Sequence, residues 1–272
     1  YSGEKCFEIE EVCVATNTVT YEEYLDVRGF AFLVGLFNGE QYDIILRHIL
    51  EFDIEPMEFF LILWDEIKNT DTLLSKIYFA YIKETDDELF DSSQEVTDFF
   101  MQEENYIKLK RGILGDNLIK KYTAKVYMEC HEESFETAYR GLIKILGNSA
   151  NENLDSLLAA KQWAIETRNI AKIFTEKNLN SLPKTRLNLT HDVKTWYSQK
   201  SKSLKEFNTL NSILISPDID RVQPILDEVE RMYAGDIRFR IGKMITNFSM
   251  DNFWYKSVPC LNDRELAKTP QE

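Results

Sequence analysis

One stretch decides the fold of this chain: TVTYEEYLDVRGFAFLVGLFNGEQYDIILRHILEFDIEPMEFF, residues 18–60. Thr20 followed by Glu23 makes a capping box, the pattern in which two side chains satisfy the free amides at a helix start. The residues that follow, up to Phe37, are nearly all apolar, and a helix that is apolar almost all round has to be surrounded by protein. Its longest clean apolar run, Gly29–Phe37, falls well short of the roughly 20 residues that cross a bilayer. The stretch therefore predicts the central helix of a bundle and no membrane span.

Two more helices are expected in the same stretch. Asn38 and Gly39 end the first helix, since glycine fits the left-handed position past a helix end. The second helix is predicted over about residues 40–52, and the third begins at Pro56, because proline suits the first turn of a helix. The side chains expected in the core of these two helices are Ile44, Ile45, Leu46, Ile49, Leu50, Met57, Phe59, Phe60, Leu63, Trp64 and Ile67. Three consecutive helices with short loops predict an all-α nucleus.

The rest of the chain extends this fold class, which is mainly all-α, a multi-helix bundle. Glycine (10 residues) and proline (6) are too scarce for a turn-dense β fold. Alternating apolar and acidic residues over 7–15 predict a short N-terminal strand or an extended arm, and TRLNL, residues 185–189, predicts one more short strand. Further helices are expected near 71–83, 92–111, 116–129, 131–147 and 153–176.

Two helical parts are predicted along the chain. Residues 1–176 form the bundle with its N-terminal arm, and the polar stretch 177–184 is the best linker candidate. Residues 185–258 form a smaller C-terminal helical subdomain, either separate or packed on the first part as one domain. Residues 259–272 are expected to be a disordered tail.

Three helices are predicted inside the second part. The first runs from about Thr190 to Phe207. The second has Ser216 as its N-cap and Pro217 in its first turn, a strong start signal, and ends at Gly235. The third covers about residues 236–247.

Charge is distributed unevenly along the chain. Residues 1–104 hold 25 acidic and 6 basic residues, a net charge of −19, whereas residues 105–272 hold 21 acidic and 26 basic residues, a net of +5. An acidic front repels phosphate backbones, so no nucleic-acid partner is expected. Six bases lie close together against one acid and form a candidate docking or anion-facing surface: Lys184, Arg186, Lys194, Lys200, Lys202 and Lys205. The alternative is that this basic stretch rests on the chain's own acidic half.

Cysteine usage and the first residues indicate the compartment. The four cysteines are too far apart for a dense disulfide framework or a paired metal site. The opening YSGEKCFEIEE lacks the basic start and apolar stretch of a signal peptide. Reduced thiols and a cytoplasmic location are expected.

The residues carry no recognisable catalytic motif. None of the three histidines, His48, His131 and His191, follows a glutamate by three positions, so the Glu-x-x-His pair of carboxylate-bridged bundles is absent. In CHEE, residues 130–133, adjacent ligand types point to different sides of a helix. No glycine-rich phosphate loop and no Gly-x-Ser-x-Gly elbow is present. We therefore assign no catalytic residue, no cofactor-binding residue and no metal ligand from the sequence.

Two stretches nevertheless resemble a known family. YSGEKCFEIEEVCVATNTVTYEEYLDVRGFAFLVGLFN, residues 1–38, is similar to the strand-to-helix junction that follows the catalytic barrel in cobalamin-dependent radical S-adenosylmethionine enzymes. The matching positions are Glu10, Glu11, Thr16, Thr20, Glu22, Glu23, Tyr24, Arg28 and Phe30. QPILDEVERMYAGDIRFRIGKMITNFSMDNFWYKSV, residues 223–258, is similar to the closing helix pair of the same C-terminal regions.

The resemblance implies an accessory role for this chain. The family's cluster-binding Cys-x-x-x-Cys-x-x-Cys and its cobalamin-binding Asp-x-His-x-x-Gly pattern are both missing here. The chain would then be the non-catalytic C-terminal helical module of such an enzyme, packing on the barrel or helping to present a substrate. It would hold no cofactor of its own, while the parent would use a four-iron cluster, S-adenosylmethionine and cobalamin. Its partners would be the upstream cobalamin-binding and radical catalytic domains of a methyltransferase-like parent.

Two other functions stay open on the sequence. The runner-up is a free-standing helical adaptor that binds a protein or peptide in a groove. The third is a hydrolase or transferase with an unrecognised carboxylate site. A pocket of convergent carboxylates with raised pKa values would support it.

Overall fold

Helix α1 (Tyr21–Phe37) begins as the sequence predicts. The computed structural model describes residues 4–176, 178–199, 201–233 and 237–260. The Thr20 hydroxyl accepts the amide of Glu23 at 3.2 Å, and the Glu23 carboxylate accepts the amide of Thr20 at 2.8 Å, so the capping box is confirmed. Asn38 closes the helix, but Gly39 has φ −74° and is not left-handed.

The fold is mainly helical, which confirms the predicted fold class. The helices after α1 are α2 Asp43–Glu51, α3 Pro56–Lys68, α4 Leu73–Asp87, α5 Ser93–Met101, α6 Glu103–Lys110, α7 Leu118–Glu129, α8 His131–Leu146, α9 Ala150–Thr167, α10 Ile170–Thr175, α11 Val193–Ser198, α12 Ile219–Met232 and α13 Ile237–Asn247. Short 3₁₀ turns lie at Glu40–Tyr42, Gly147–Ser149, Leu179–Ser181, Leu204–Phe207 and Met250–Phe253. Pro56 occupies the first turn of α3, as predicted. Within the described ranges, no helix combines the length and apolarity needed to cross a bilayer.

A small antiparallel sheet accompanies the helices. Its strands are β1 (Thr185–Leu189), β2 (Asn211–Pro217) and β3 (Tyr255–Pro259), in the order β1-β2-β3. Leu187 pairs with Ile213, and Ile215 pairs with Ser257. The apolar residues of β1 and β2 that face inward are buried, because alternate residues of a strand point to the same face. The predicted strand at 185–189 is confirmed, whereas β2 and β3 were not expected.

One hydrophobic cluster runs through both predicted parts of the chain. It includes Phe32 and Leu63 from the first part and Leu187, Ile213 and Ile241 from the second. Helix α13 packs against α7, and α9 packs against β1 and β3. Burial of this shared apolar surface is the main stabilising contribution to the fold.

Several predictions for the second part were wrong in detail. Ser216 and Pro217 do not start a helix but end β2, where a proline without an N–H costs little, and Asp218 precedes α12 instead. The described residues of 190–207 form α11 and a 3₁₀ turn instead of one long helix, and the Asp192 amide donates to the Phe207 carbonyl at 2.9 Å, which folds the segment back. The expected tail also starts too early, since Pro259 belongs to β3; residues 261–272, like the predicted helix end at Gly235, lie outside the described residues.

The N-terminal residues take the second of the two predicted forms, an arm. Residues 4–15 pair with no strand among the described residues. The arm is held at its start, where Lys5 Nζ donates to the Met101 carbonyl at 2.5 Å and the Phe7 and Phe100 rings lie 5.6 Å apart. Farther along, Val12 is 52% exposed. Most of the arm is therefore uncovered in this chain.

The prediction that α1 is surrounded on all sides was wrong for one face. Phe32 and Leu36 are fully buried, but Val27 is 62% exposed, and Ala31 and Gly35 on the same side are exposed too. These three residues are spaced by four, which places them along one line of the helix. The uncovered line is an apolar face that the chain itself leaves open.

Two glycines of α1 predict opposite mutational effects. A Cβ on Gly29 would lie 2.6 Å from Ile82 Cδ1 and 2.8 Å from Tyr78 Cζ, whereas a Cβ on Gly35 would meet nothing within 4 Å. We expect Gly29→Ala to lower the free energy of unfolding by about 1–3 kcal/mol, because the buried Tyr78 ring has to move. Gly35→Ala should raise it by about 0.5–1 kcal/mol, because alanine is the better helix former. Urea unfolding of both variants checks the pair; equal effects would contradict the close approach of α1 to α4.

Candidate functional site

A cleft of about 590 Å³ opens along one face of α2. Asp43, Arg47 and Glu51 repeat every fourth residue and therefore lie on the same side of the helix. The opposite wall comes from the end of α11 and the segment after it. The residues that line the cleft are Asp43, Leu46, Arg47, Leu50, Glu51, Tyr197, Ser201, Lys202 and Ser203. A volume of this size suits a small organic ligand.

Asp43 forms the inner end of the cleft. Its carboxylate accepts a hydrogen bond from Arg168 Nη2 at 2.9 Å and another from the Tyr197 hydroxyl. Burial raises the pKa of Tyr197, Arg168 lowers it and the bond to Asp43 raises it further, with a net upward shift. Tyr197 is thus a neutral donor at pH 7, and Asp43 is engaged on both oxygens.

Arg168 is a fully buried cation behind Asp43. Its guanidinium carbon lies 4.0 Å from the ring centre of Trp254, 4.8 Å from that of Trp163 and 5.1 Å from that of Tyr197. Aromatic faces attract a cation, and a desolvated contact of this kind contributes more than an exposed one. The rings and the single carboxylate hold this charge inside the protein.

Arg47 connects α2 to the facing segment through hydrogen bonds to backbone carbonyls. Its two terminal nitrogens donate to the backbone carbonyls of Tyr197, at 2.8 Å, and Gln199, at 2.6 Å. The guanidinium also stacks on Trp196, 4.1 Å from the ring centre. Burial lowers the pKa of Arg47, while Glu51 and Asp43 act in the opposite direction. Arg47 thereby positions the outer wall of the cleft.

Glu51 closes the other end of the cleft. Its Oε1 accepts the Ser203 hydroxyl at 2.7 Å and the Leu204 amide at 2.9 Å. Its side chain is only 10% exposed, and Oε2 lies 3.6 Å from Nδ1 of the buried His48. Burial raises the pKa of Glu51, but the contacts with His48, Ser203 and Leu204 outweigh burial and lower the pKa overall. Glu51 is therefore a carboxylate at neutral pH.

Buried polar atoms without a hydrogen-bond partner gather around this cleft. Among the described residues they include Nε of Arg47, both ring nitrogens of His48, Oε2 of Glu51 and Nε of Arg168. The indole nitrogens of Trp163, Trp196 and Trp254 and the Tyr139 hydroxyl belong to the same surroundings. Native proteins leave few buried polar groups unsatisfied, so these atoms set the surroundings of the cleft apart from the rest of the described core.

The six predicted basic residues are spread over several elements. Lys202 lines the cleft, Lys205 lies 3.7 Å from Glu152, and Lys194 donates to the Ser257 carbonyl at 2.6 Å. Lys184, just before β1, and Arg186, within β1, are both exposed. Lys200 lies outside the described residues. The contact with Glu152 is made to α9 in the second, less acidic half of the chain. Of the predicted set, Lys202 is the residue that the structure places in the cleft.

The candidate metal ligands do not converge. Among the described residues, no group of three or more His, Cys, Asp or Glu side chains is arranged to hold a metal ion. His131 donates from Nε2 to the Ile165 carbonyl at 2.8 Å, and His48 is packed between Trp196 and Phe52. His131 is thus held in the core by packing and a hydrogen bond, and His48 by aromatic stacking.

The cleft resembles a binding site more than a catalytic one. A carboxylate that serves as general acid needs a raised pKa, and Glu51 has a lowered one. Glu88 does have a raised pKa, which burial causes, but its carboxylate accepts the Gly115 amide at 3.2 Å and so fixes a loop. The arrangement at α2 offers a charged, partly apolar recess without a poised acid or base.

Sequence reasoning missed the residues of α2 that line the cleft. Leu46 and Leu50 were assigned to the core, yet Leu46 is half-buried and Leu50 is 79% exposed, since Ile44, Ile45 and Ile49 occupy the inward face. The signal that was available is the i, i+4, i+8 pattern of Asp43, Arg47 and Glu51. Met57 was also assigned to the core but is exposed.

Comparison with known proteins gave no match. No family model, no curated protein and no solved structure matches the chain.

Proposed function

We propose that this chain is the non-catalytic C-terminal helical module of a cobalamin-dependent radical S-adenosylmethionine enzyme. In this role it docks on the catalytic barrel and helps to enclose or present the substrate. The four-iron cluster, S-adenosylmethionine and cobalamin belong to the upstream domains of the parent. The observation that carries the proposal is the uncovered apolar surface of the arm and of α1.

This uncovered surface falls within the first stretch that resembles the family, residues 1–38. Val12 in the arm and Val27 on α1 are more than half exposed, and Ile9 is 38% exposed. The apolar residues of the arm alternate with the exposed acids Glu8, Glu10 and Glu11. Such a surface fits a partner that offers apolar contacts together with basic groups. The catalytic barrel that precedes this junction in the family is the partner we propose.

The two resembling stretches also lie next to each other in the fold. Glu40, directly after the first stretch, accepts the Ser249 hydroxyl at 2.7 Å and the Met250 amide at 2.6 Å. Both α1 and α13 pack on α7. Residues 40 and 249, more than 200 positions apart, are thus in contact beside the two stretches, which supports treating both stretches as one part of the module.

The first test is to read the coding sequence upstream of Tyr1. An open frame that encodes Cys-x-x-x-Cys-x-x-Cys supports the proposal, and a start codon directly before Tyr1 contradicts it. In the second case the free-standing adaptor becomes the better hypothesis. Its binding groove would then be sought at the cleft on α2.

We expect the docked complex to depend on salt and on the uncovered surface. The upstream domains, expressed separately, should bind this chain more weakly at 500 mM than at 50 mM NaCl. The acidic arm is exposed, so salt screens its attraction to a basic partner. Val27→Asp should weaken binding about tenfold or more, since it places a charge in an apolar contact. Isothermal titration calorimetry measures both effects.

Leu210→Asp is the matched control for this experiment. Leu210 is 80% exposed but lies outside both resembling stretches. Its substitution should leave the affinity unchanged. If Leu210→Asp and Val27→Asp weaken binding equally, or neither does, the docking surface proposed here is wrong.

A further inference from the structure

The cleft on α2 supports an inference that is independent of the docking proposal. The described residues that line it belong to α2, to the end of α11 at Tyr197 and to residues 201–203, and none of them belongs to the arm or to α1. Its carboxylates accept hydrogen bonds from the protein, whereas its cations form no close ion pair with a described carboxylate. This difference indicates an anionic ligand.

The two carboxylates of the cleft already have donors. Asp43 accepts from Arg168 and from Tyr197, and Glu51 accepts from the Ser203 hydroxyl and the Leu204 amide. Both oxygens of Asp43 and Oε1 of Glu51 are thus occupied, and Oε2 of Glu51 faces His48 Nδ1 at 3.6 Å, away from the cations of the cleft. The acids of the cleft are therefore parts of its wall.

The two cations that line the cleft among the described residues, Arg47 and Lys202, form no close ion pair. Within the part of the chain that the structure describes, no carboxylate lies within 4.0 Å of the charged nitrogens of Arg47 or Lys202. Arg47 uses two of its five N–H donors on backbone carbonyls, and its buried Nε has no acceptor. The Lys202 ammonium has only a weak contact, 5.9 Å from the ring centre of Phe207. An arginine with free donors is well suited to binding a carboxylate.

Two leucines of α2 supply the apolar part of the cleft. Leu46 and Leu50 follow Asp43 and Arg47 by three residues each and therefore line the same side of α2. Leu50 is 79% exposed, so an apolar group in the cleft would remove part of the exposed leucine surface from water. A ligand that satisfies both features has one negative charge and an aliphatic body.

We propose that the cleft binds a small organic monocarboxylate, with the carboxylate between Arg47 and Lys202 and the aliphatic part against Leu46 and Leu50. The volume of about 590 Å³ accommodates a ligand of this kind. The Ser201 and Ser203 side chains lie in the same lining and set the polar rim.

Titration of the 272-residue chain with three probes tests the proposal. Octanoate has the charge and the aliphatic body, octanol has the body alone, and acetate has the charge alone. Isothermal titration calorimetry should give saturable binding of octanoate at one site per chain and at least tenfold weaker binding of the other two. Equal affinity for octanol and octanoate, or no binding of octanoate, would overturn the proposal.

Variants locate the site. Lys202→Ala should weaken octanoate binding about two- to fivefold, and Arg47→Gln about tenfold or more, because a charged hydrogen bond is lost. Leu50→Asp should abolish binding and, since Leu50 is exposed, should leave the fold intact. Lys194→Ala is the matched control, because Lys194 belongs to the same basic stretch and donates to Ser257. If Leu50→Asp folds and binds octanoate as the unmodified chain does, the site is not this cleft.

Discussion

Arg168→Ala is expected to lower the free energy of unfolding by about 3–5 kcal/mol, because it empties a fully buried site and breaks an ion pair at the same time. Arg168 is fully buried, donates to Asp43 and lies against Trp163, Tyr197 and Trp254. The substitution removes the cation that these groups surround and leaves a cavity among three rings. It also leaves Asp43 with a single donor, Tyr197. Urea unfolding at pH 7 measures the change.

Arg140→Ala is the control for charge removal. Arg140 pairs with Glu66 at 2.7 Å on the surface, where its side chain is about half exposed. Surface pairs of this kind contribute less than about 1 kcal/mol. A loss below 1 kcal/mol for Arg168→Ala as well would show that the aromatic rings and Asp43 do not hold the guanidinium as described.

The same substitution connects stability with the cleft. Without Arg168, the Asp43 carboxylate faces the cleft with its charge unmatched. A carboxylate ligand between Arg47 and Lys202 would then meet like-charge repulsion. Arg168→Lys, which keeps the positive charge, should restore part of the octanoate affinity even where it does not restore full stability.

Local signals predicted much of the first half of the fold. The capping box at Thr20 and Glu23 and the proline at the start of α3 each depend on residues a few positions apart, and each is confirmed. The strand at 185–189 was readable from its alternation. Such features depend on residues that are neighbours in the chain, so they can be predicted from a single sequence.

Features that depend on contacts between residues far apart in the chain could not be predicted from the sequence. β3, with the sequence YKSVP, has no strong strand pattern and forms because Ser257 and Val258 pair with β2 about 40 residues earlier. Ser216 and Pro217 make a good helix start, but strand pairing outweighs it. Tertiary contacts routinely override such local preferences.

The candidate site shows the same limit. The charged line on α2 was visible at Asp43, Arg47 and Glu51, but its meaning depends on Tyr197 and Lys202, about 150 residues later. Nothing in the intervening sequence indicates that these segments face each other. The buried position of Arg168 was equally unreadable, since arginine is rarely buried.

His131 predicts a loss of stability in mild acid. Its Nε2 donates to the Ile165 carbonyl at 2.8 Å, and its buried Nδ1 has no hydrogen-bond partner among the described residues. A proton on Nδ1 would therefore be buried without an acceptor. Burial lowers the pKa of His131 from 6.5 to about 4, although the bond to Ile165 acts in the opposite direction.

The lowered pKa determines the pH window. Between pH 6.5 and about 4 the unfolded chain binds a proton at His131 that the folded chain does not, so stability falls as the pH falls. Each pKa unit corresponds to about 1.4 kcal/mol, so this histidine alone should cost about 3 kcal/mol by the lower end of the window. Burial lowers the pKa of His48 as well, which acts in the same direction.

His131→Gln separates this effect from general acid denaturation. Glutamine keeps a donor for the Ile165 carbonyl but does not titrate in this range. The free energies of unfolding of the two proteins, measured in urea from pH 7 to pH 4.5, should converge by about 2–3 kcal/mol as the pH falls, because only the unmodified chain loses the contribution of His131. Parallel curves would mean that the folded protein accepts a proton at His131 as readily as the unfolded chain does. In that case the ring is not enclosed between α8 and the end of α9 as the structure places it.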